Sequence, residues 1–157
     1  MKLPSSLFIS AVQEKKVFYF SSSRINSTEP HFFVCIKRTN DELLIFSCCT
    51  SKFENKRRYI ESRNLPRETL VYIKPKEDGN PFVRDTYVNC NECHIYTVQE
   101  FEQKYNSNQV EYSGEISDVY YEQIIIGIQK SPLISQETKN LIPNILNSYL
   151  NIVHIYR

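Results

Sequence analysis

Two apolar runs, residues 31–37 and 43–49, dominate the hydropathy pattern of the chain. Each is strand-length and built from Phe, Val, Ile, Leu and Cys, residues that suit a pleated, buried surface. Thr39-Asn40-Asp41 between them is rich in turn formers, so 30–51 predicts a tight antiparallel hairpin. Neither run alternates apolar with polar, which predicts cover on both faces and a central place in the sheet. The polar pair Thr50-Ser51 ends the second run, where a surface pocket can begin.

Around this hairpin the pattern predicts a short N-terminal helix over 4–15, with Pro4 in its first turn and Leu7, Phe8 and Val12 on its apolar face. A first strand follows at 17–20. Residues 21–29 (SSSRINSTE) are small and polar and predict an exposed, mobile loop. Residues 52–58 read as a basic connection, and Tyr59-Ile60 as the start of a short strand. A strand at 69–74 is stopped by Pro75, Asp78-Gly79-Asn80-Pro81 is a turn, and 85–89 and 94–98 are short strands. Helices are predicted at 99–105, where Phe101 and Tyr105 stand at i and i+4, and at 118–129, where Ser117 caps a face of Tyr120, Ile124 and Ile128. A third, 135–150, should be bent or split by Pro143. The fold class is therefore α+β, mainly β, and the natural architecture is a small, curved antiparallel barrel with helices packed against it. One domain fits 157 residues: a helical extension over 1–15, the barrel with its helices over 17–134, and a helical tail over 135–157.

Composition adds three points. Eleven Tyr and 9 Phe but only 3 Gly favour aromatic packing and leave little room for glycine-built phosphate loops. The net charge of +1 implies no particular partner, yet 52–84 holds nine Lys/Arg against five Asp/Glu, while 98–137 holds two Lys against seven Asp/Glu. The basic middle can meet an anionic ligand. No stretch is long and apolar enough to span a membrane, the N-terminal apolar patch makes a poor signal peptide, and five Cys with Cys48 and Cys49 adjacent fit a reduced, cytoplasmic protein.

Cys90-Asn91-Glu92-Cys93-His94 matches the C-x-x-C-H haem-attachment pattern, and its two thiols also have zinc-chelate spacing. Strand-like flanks and the lack of a second such pair favour a plain strand turn carrying two thiols. His31, at a loop–strand junction, is a candidate acid or base near neutral pH. No G-x-S-x-G, H-E-x-x-H, Walker or Rossmann pattern is present.

Three pieces in order, PHFFVCIKRTNDELLIFSCCTS, PFVRDTYVNCNECHIYTVQEF and GEISDVYYEQIIIGIQKSPLI, resemble the MazF/PemK/Kid family of toxin ribonucleases over roughly residues 17–134. The resemblance implies an SH3-like barrel in which a Pro opens strand two, a Thr-Ser pair closes strand three, and a Gly-containing strand precedes an acidic helix. It also implies metal-independent cleavage of single-stranded RNA with the ribose 2′-hydroxyl as nucleophile, no cofactor, a neutralising antitoxin partner, and a homodimer for which the apolar tail 141–156 is the natural interface. Thr50 and Ser51 match the family's pair directly. Where the family has Arg before the strand-two Pro this chain has Glu29, and Arg24 and His31 are the nearest substitutes. The family's Arg-x-Asp element is represented by Arg84-Asp85, without the spacer. Such a site needs a cation beside the scissile phosphate, for which Arg24, Arg84 or the 52–58 segment qualifies. It also needs a proton acceptor, for which His31 or Asp85 qualifies. Lys52, Phe53, Lys56, Arg57 and Arg58, with Tyr59, are the candidates for holding RNA, the aromatic rings by stacking on bases. The alternative is an SH3-like module that has lost catalysis and binds nucleic acid or protein.

Overall fold

The computed structural model describes residues 2–25 and 27–144. Seven strands form one antiparallel sheet: β1 (Lys16–Phe20), β2 (His31–Arg38), β3 (Leu43–Thr50), β4 (Leu70–Ile73), β5 (Thr86–Asn89), β6 (His94–Thr97) and β7 (Val110–Glu115). Their order is β4-β5-β3-β2-β1-β7, with β6 beside β3. Five helices complete the α+β fold: α1 (Ser5–Ser10), α2 (Phe53–Ser62), α3 (Val98–Asn106), α4 (Asp118–Lys130) and α5 (Gln136–Leu141). Among the described residues no ladder joins β4 to β7, so the sheet is open where the sequence led us to expect a barrel. No helix among them is long and apolar enough to cross a membrane.

The central hairpin is β2–β3, as its apolar runs require. Thr39 closes it, because its hydroxyl accepts from the Leu43 amide at 3.0 Å. The left-handed residue of the turn is Glu42 (φ 61°), not the neighbouring Asn or Asp. β3 pairs with β2 along one edge and divides the other: Leu43 to Phe46 face β6, and Cys49 and Thr50 face β5.

Both faces of this hairpin are buried, which explains why its runs do not alternate. Phe33 and Cys35 of β2, with Phe18, Phe20, Leu44, Phe46 and Tyr96, pack under α1 and α3 in a core made mostly of aromatic rings. Phe20 stacks on Phe33 at 4.2 Å and Phe8 on Tyr105 at 3.8 Å. The alternate residues Val34 and Ile36, with Val17, Ile45, Cys49 and Val88, pack under Ile124, Ile125 and Ile128 of α4. Gly127 lets α4 approach the turn before β4: a Cβ there would lie 2.5 Å from the Glu68 carbonyl oxygen and 2.7 Å from Cys90 Sγ.

Several elements differ from expectation. The stretch read as a basic connection and a short strand is the helix α2. It buries only Ile60, and its Glu54–Arg57–Glu61 ion pairs at 2.7 and 2.9 Å follow the i, i+3 and i+4 spacing, so charge rather than an apolar stripe marks it. The N-terminal helix stops at Ser10, and Lys15 (φ 75°) sets the turn into β1. The mostly exposed β7 carries too few apolar residues to stand out by pattern, and only the family resemblance points to a Gly-containing strand there. The last helix is capped by Ser135 and ends at Leu141. The rest of the helix expected to 150, and most of the apolar tail expected to make a dimer, lie outside the described residues.

Candidate functional site

Strand register assembles part of the expected site. Tyr72 of β4 pairs with Tyr87 of β5, and Tyr87 pairs with Thr50 of β3. The β2–β3 ladder ends with Phe33 opposite Cys48, and continuing that register by two residues, to the first residue of β2 and the last of β3, sets His31 across from Thr50. Directly opposed residues share a face, and Tyr72, Tyr87, Thr50 and His31 therefore make one row across four strands. The aromatic end of the row is a ladder of three rings. Phe53, the first residue of α2, stacks on Tyr87 at 4.7 Å and 29°, and Tyr72 flanks Tyr87 at 5.4 Å and 36°. Phe53 is 37% exposed and Tyr72 44% exposed, which leaves faces for further stacking.

Polar groups surround this ladder. The Tyr72 hydroxyl donates to Asp85 Oδ1 at 2.8 Å, and that bond pushes the phenol up to about 12. Arg84, next to Asp85, is exposed, as are Ser51 and Lys52. The Lys52 amide donates to Thr50 Oγ1 at 3.1 Å, so the threonine O–H is left to donate elsewhere. His31 Nδ1 lies 3.0 Å from the Glu29 carbonyl oxygen. A carbonyl only accepts, so Nδ1 carries the proton and Nε2 is the basic nitrogen. The remaining cations divide: Arg57 is held between Glu54 and Glu61, Lys56 stands 5.6 Å over the Tyr59 ring, and Arg58 is exposed.

Arg24 does not join the row. Its guanidinium lies 3.9 Å over the Tyr96 ring and pairs with Glu100 at 2.9 Å. Tyr96 pairs with Leu44, six residues before Thr50, about 20 Å along the strand at roughly 3.3 Å per residue. Residues 22–25 of the Ser loop are accordingly tied down rather than free. Ser22 is buried and hydrogen-bonded to the Tyr96 hydroxyl, the Arg24 amide donates to Ser22 Oγ at 3.1 Å, and Ile25 packs on the aromatic core.

Arg24 instead borders a cleft of about 420 Å³ that is also lined by residues 91–95, among them Glu92 and His94, and by Ser135 and Thr138. His94 is 5% exposed, meets Phe33 edge-on at 5.4 Å, and has no hydrogen-bond partner at Nε2. Glu92 Oε2 lies 3.7 Å from that nitrogen, beyond hydrogen-bond length. Burial pushes the His94 pKa down, Glu92 pulls it back, and Arg24 and Lys56 add to the lowering, so the ring is neutral at pH 7. An unsatisfied buried nitrogen costs about 1–3 kcal/mol. Sequence reasoning met His94 only as the end of C-x-x-C-H. The better signal was its place in the strand: His94 stands two residues before the core-facing Tyr96 and so shares its buried face.

The two thiols of that pattern do not converge with His94. Cys90 is packed against α4, on the opposite side of the sheet from the Phe33 ring that His94 touches. Burial pushes the Cys48 and Cys93 thiols up to about 12 and raises those of Cys35, Cys49 and Cys90 as well, so all five are neutral thiols at pH 7. Among the described residues no group of three or more His, Cys, Asp or Glu side chains is arranged to hold a metal ion. No family model matches the chain, and no curated protein matches it, so geometry has to carry the functional reading.

Proposed function

We propose that the protein is a toxin-like endoribonuclease that binds single-stranded RNA along the Tyr72–Tyr87–Thr50–His31 row and cleaves it without a metal. The observation that carries this reading is the row itself: three adjoining, partly exposed rings run into a threonine hydroxyl whose proton is left to donate and a histidine with a basic Nε2. Aromatic ladders hold unpaired bases because every base has a π-face. His31 Nε2 takes the proton of the ribose 2′-hydroxyl, whose oxygen attacks phosphorus. The bond to the 5′-oxygen breaks, that oxygen takes a proton from water, and a cyclic phosphate remains. Thr50 donates to a non-bridging oxygen, and Lys52 and Arg84 offset the developing charge. Asp85 holds Tyr72 in the ladder. In this reading the open sheet is a variant of the family's SH3-like barrel. The neutralising partner protein, the homodimer and the cytoplasmic location belong to the same proposal.

A second reading, binding without cleavage, is favoured by one observation: Arg24 is already engaged by Glu100 and Tyr96. Incubating purified protein with a varied single-stranded RNA pool in EDTA separates the two. Cleavage slowed about 100-fold or more in His31→Ala, with RNA still bound, supports the nuclease, since general-base catalysis contributes at least that factor. Salt-sensitive binding with intact RNA supports the module, and absence of both sinks both.

A further inference from the structure

We infer that the cleft between Arg24 and His94 is a separate anion site, built to take a phosphate group. It lies apart from the RNA row and does not need that row to be a nuclease. His94 is the first observation. Its side chain is buried, yet Nε2 has no hydrogen-bond partner; among the described residues the only other buried side-chain nitrogen or oxygen in that condition is Ser47 Oγ. Once the ring is protonated both of its nitrogens donate, so this buried, unpaired Nε2 beside the cleft becomes a donor awaiting an acceptor.

The second observation is charge. Arg24, from the β1–β2 loop, lines the cleft together with His94 and is, among the described residues, its one lining cation. Arg24 is held in place by the Tyr96 ring and by Glu100, so its position is fixed before any ligand arrives. Thr138 adds a hydroxyl to the lining, its oxygen accepting from Ser135 Oγ at 3.1 Å and its proton left to donate.

The third observation is Glu92. Its carboxylate is the acid facing His94, 3.7 Å from Nε2 and half exposed. It sits as an anion in front of His94 without making a hydrogen bond, and its exposure lets it swing out. A phosphate is the better occupant, because it carries more charge and more acceptor oxygens than a carboxylate. Binding it would favour the imidazolium over the neutral ring and draw a proton onto His94.

The test follows the His94 ring nitrogens by NMR while inorganic phosphate or adenosine 5′-monophosphate is added to the whole chain. Both probes should shift the His94 signals and raise its apparent pKa. Glu92→Gln should tighten binding threefold or more, and Arg24→Ala should weaken it fivefold or more. Because Arg24→Ala also removes a loop anchor, Glu92→Gln, a change at a half-exposed side chain that lines the cleft, keeps the test decisive if the first variant unfolds. A response to the nucleotide alone assigns the site to nucleotides, and an equal response to both assigns it to the phosphate group; either supports the inference. No shift at 10 mM probe in wild type and in Glu92→Gln overturns it, as does binding unchanged by a folded Arg24→Ala. Repeating the titration in Tyr87→Ala, where the RNA row is broken, distinguishes a failure here from a failure of the nuclease reading.

Discussion

Removing the Tyr87 ring tests the row at its centre. Tyr87 lies between Phe53 at 4.7 Å and Tyr72 at 5.4 Å, and it links them to Thr50 across the β3–β5 ladder. Base stacking on an aromatic ring is worth about 1–3 kcal/mol per base, so Tyr87→Ala should weaken single-stranded RNA binding roughly 5- to 150-fold. The same change deletes two ring pairs, each worth about 0.5–1.5 kcal/mol, or about 1–3 kcal/mol of stability together. At about 2–4 °C per kcal/mol for a chain of this size, the melting temperature should fall by roughly 2–12 °C. Fluorescence anisotropy with a labelled oligonucleotide at fixed salt, run well below the variant's melting temperature, measures the first quantity. Tyr87→Phe keeps the ring and should bind within about twofold of wild type. A folded Tyr87→Ala that binds RNA as tightly as wild type would refute the claim that this ladder holds bases.

Two further outcomes concern stability. Gly127→Ala puts a methyl group 2.5 Å from the Glu68 carbonyl oxygen, a backbone atom that cannot rotate away, so α4 must lift off its turn; a loss of about 1–3 kcal/mol or more is expected in urea titration, and an unchanged midpoint would show that the helix does not pack as described. His94 has its ordinary pKa near 6.5 when unfolded and a lower one when folded. Between these values the unfolded chain binds the extra proton, so this contribution is intact above about 6.5 and is lost as the pH falls below it. His94→Gln should flatten that acid limb in thermal melts, and equal slopes for variant and wild type between pH 7 and 5 would contradict the buried, neutral ring.

The hairpin and its two-sided burial were legible because Phe33 to Ile36 and Leu44 to Phe46 leave no polar break for either face. α4 was legible for the opposite reason: Ser117 caps it and its isoleucines recur at helical spacing. α2 was not, because a surface helix stabilised by i, i+3 and i+4 ion pairs has the composition of a linker. Within the site, Thr50 and His31 were nameable from their places at strand ends. Their meeting with Tyr72 and Tyr87 depends on register between strands far apart in sequence, which no local pattern encodes. Arg24 shows the same limit from the other side. Its loop reads as free, and only the tertiary fold supplies Tyr96 and Glu100 to hold it.

The pairing of β1 with β7 also bears on the order in which the chain acquires its shape. Lys16 and Glu115 are bonded partners 99 residues apart, whereas the β2–β3 turn joins Arg38 to Leu44. Closing the longer loop costs roughly 2.5 kcal/mol more in chain entropy than closing the shorter one. During synthesis the strands of the aromatic row are all made by residue 89, while the outer edge of β1 has no strand beside it until β7 follows. The candidate RNA surface is thus encoded in the early, locally closed part of the sheet, and the last strand acts as a seal on the N-terminal edge.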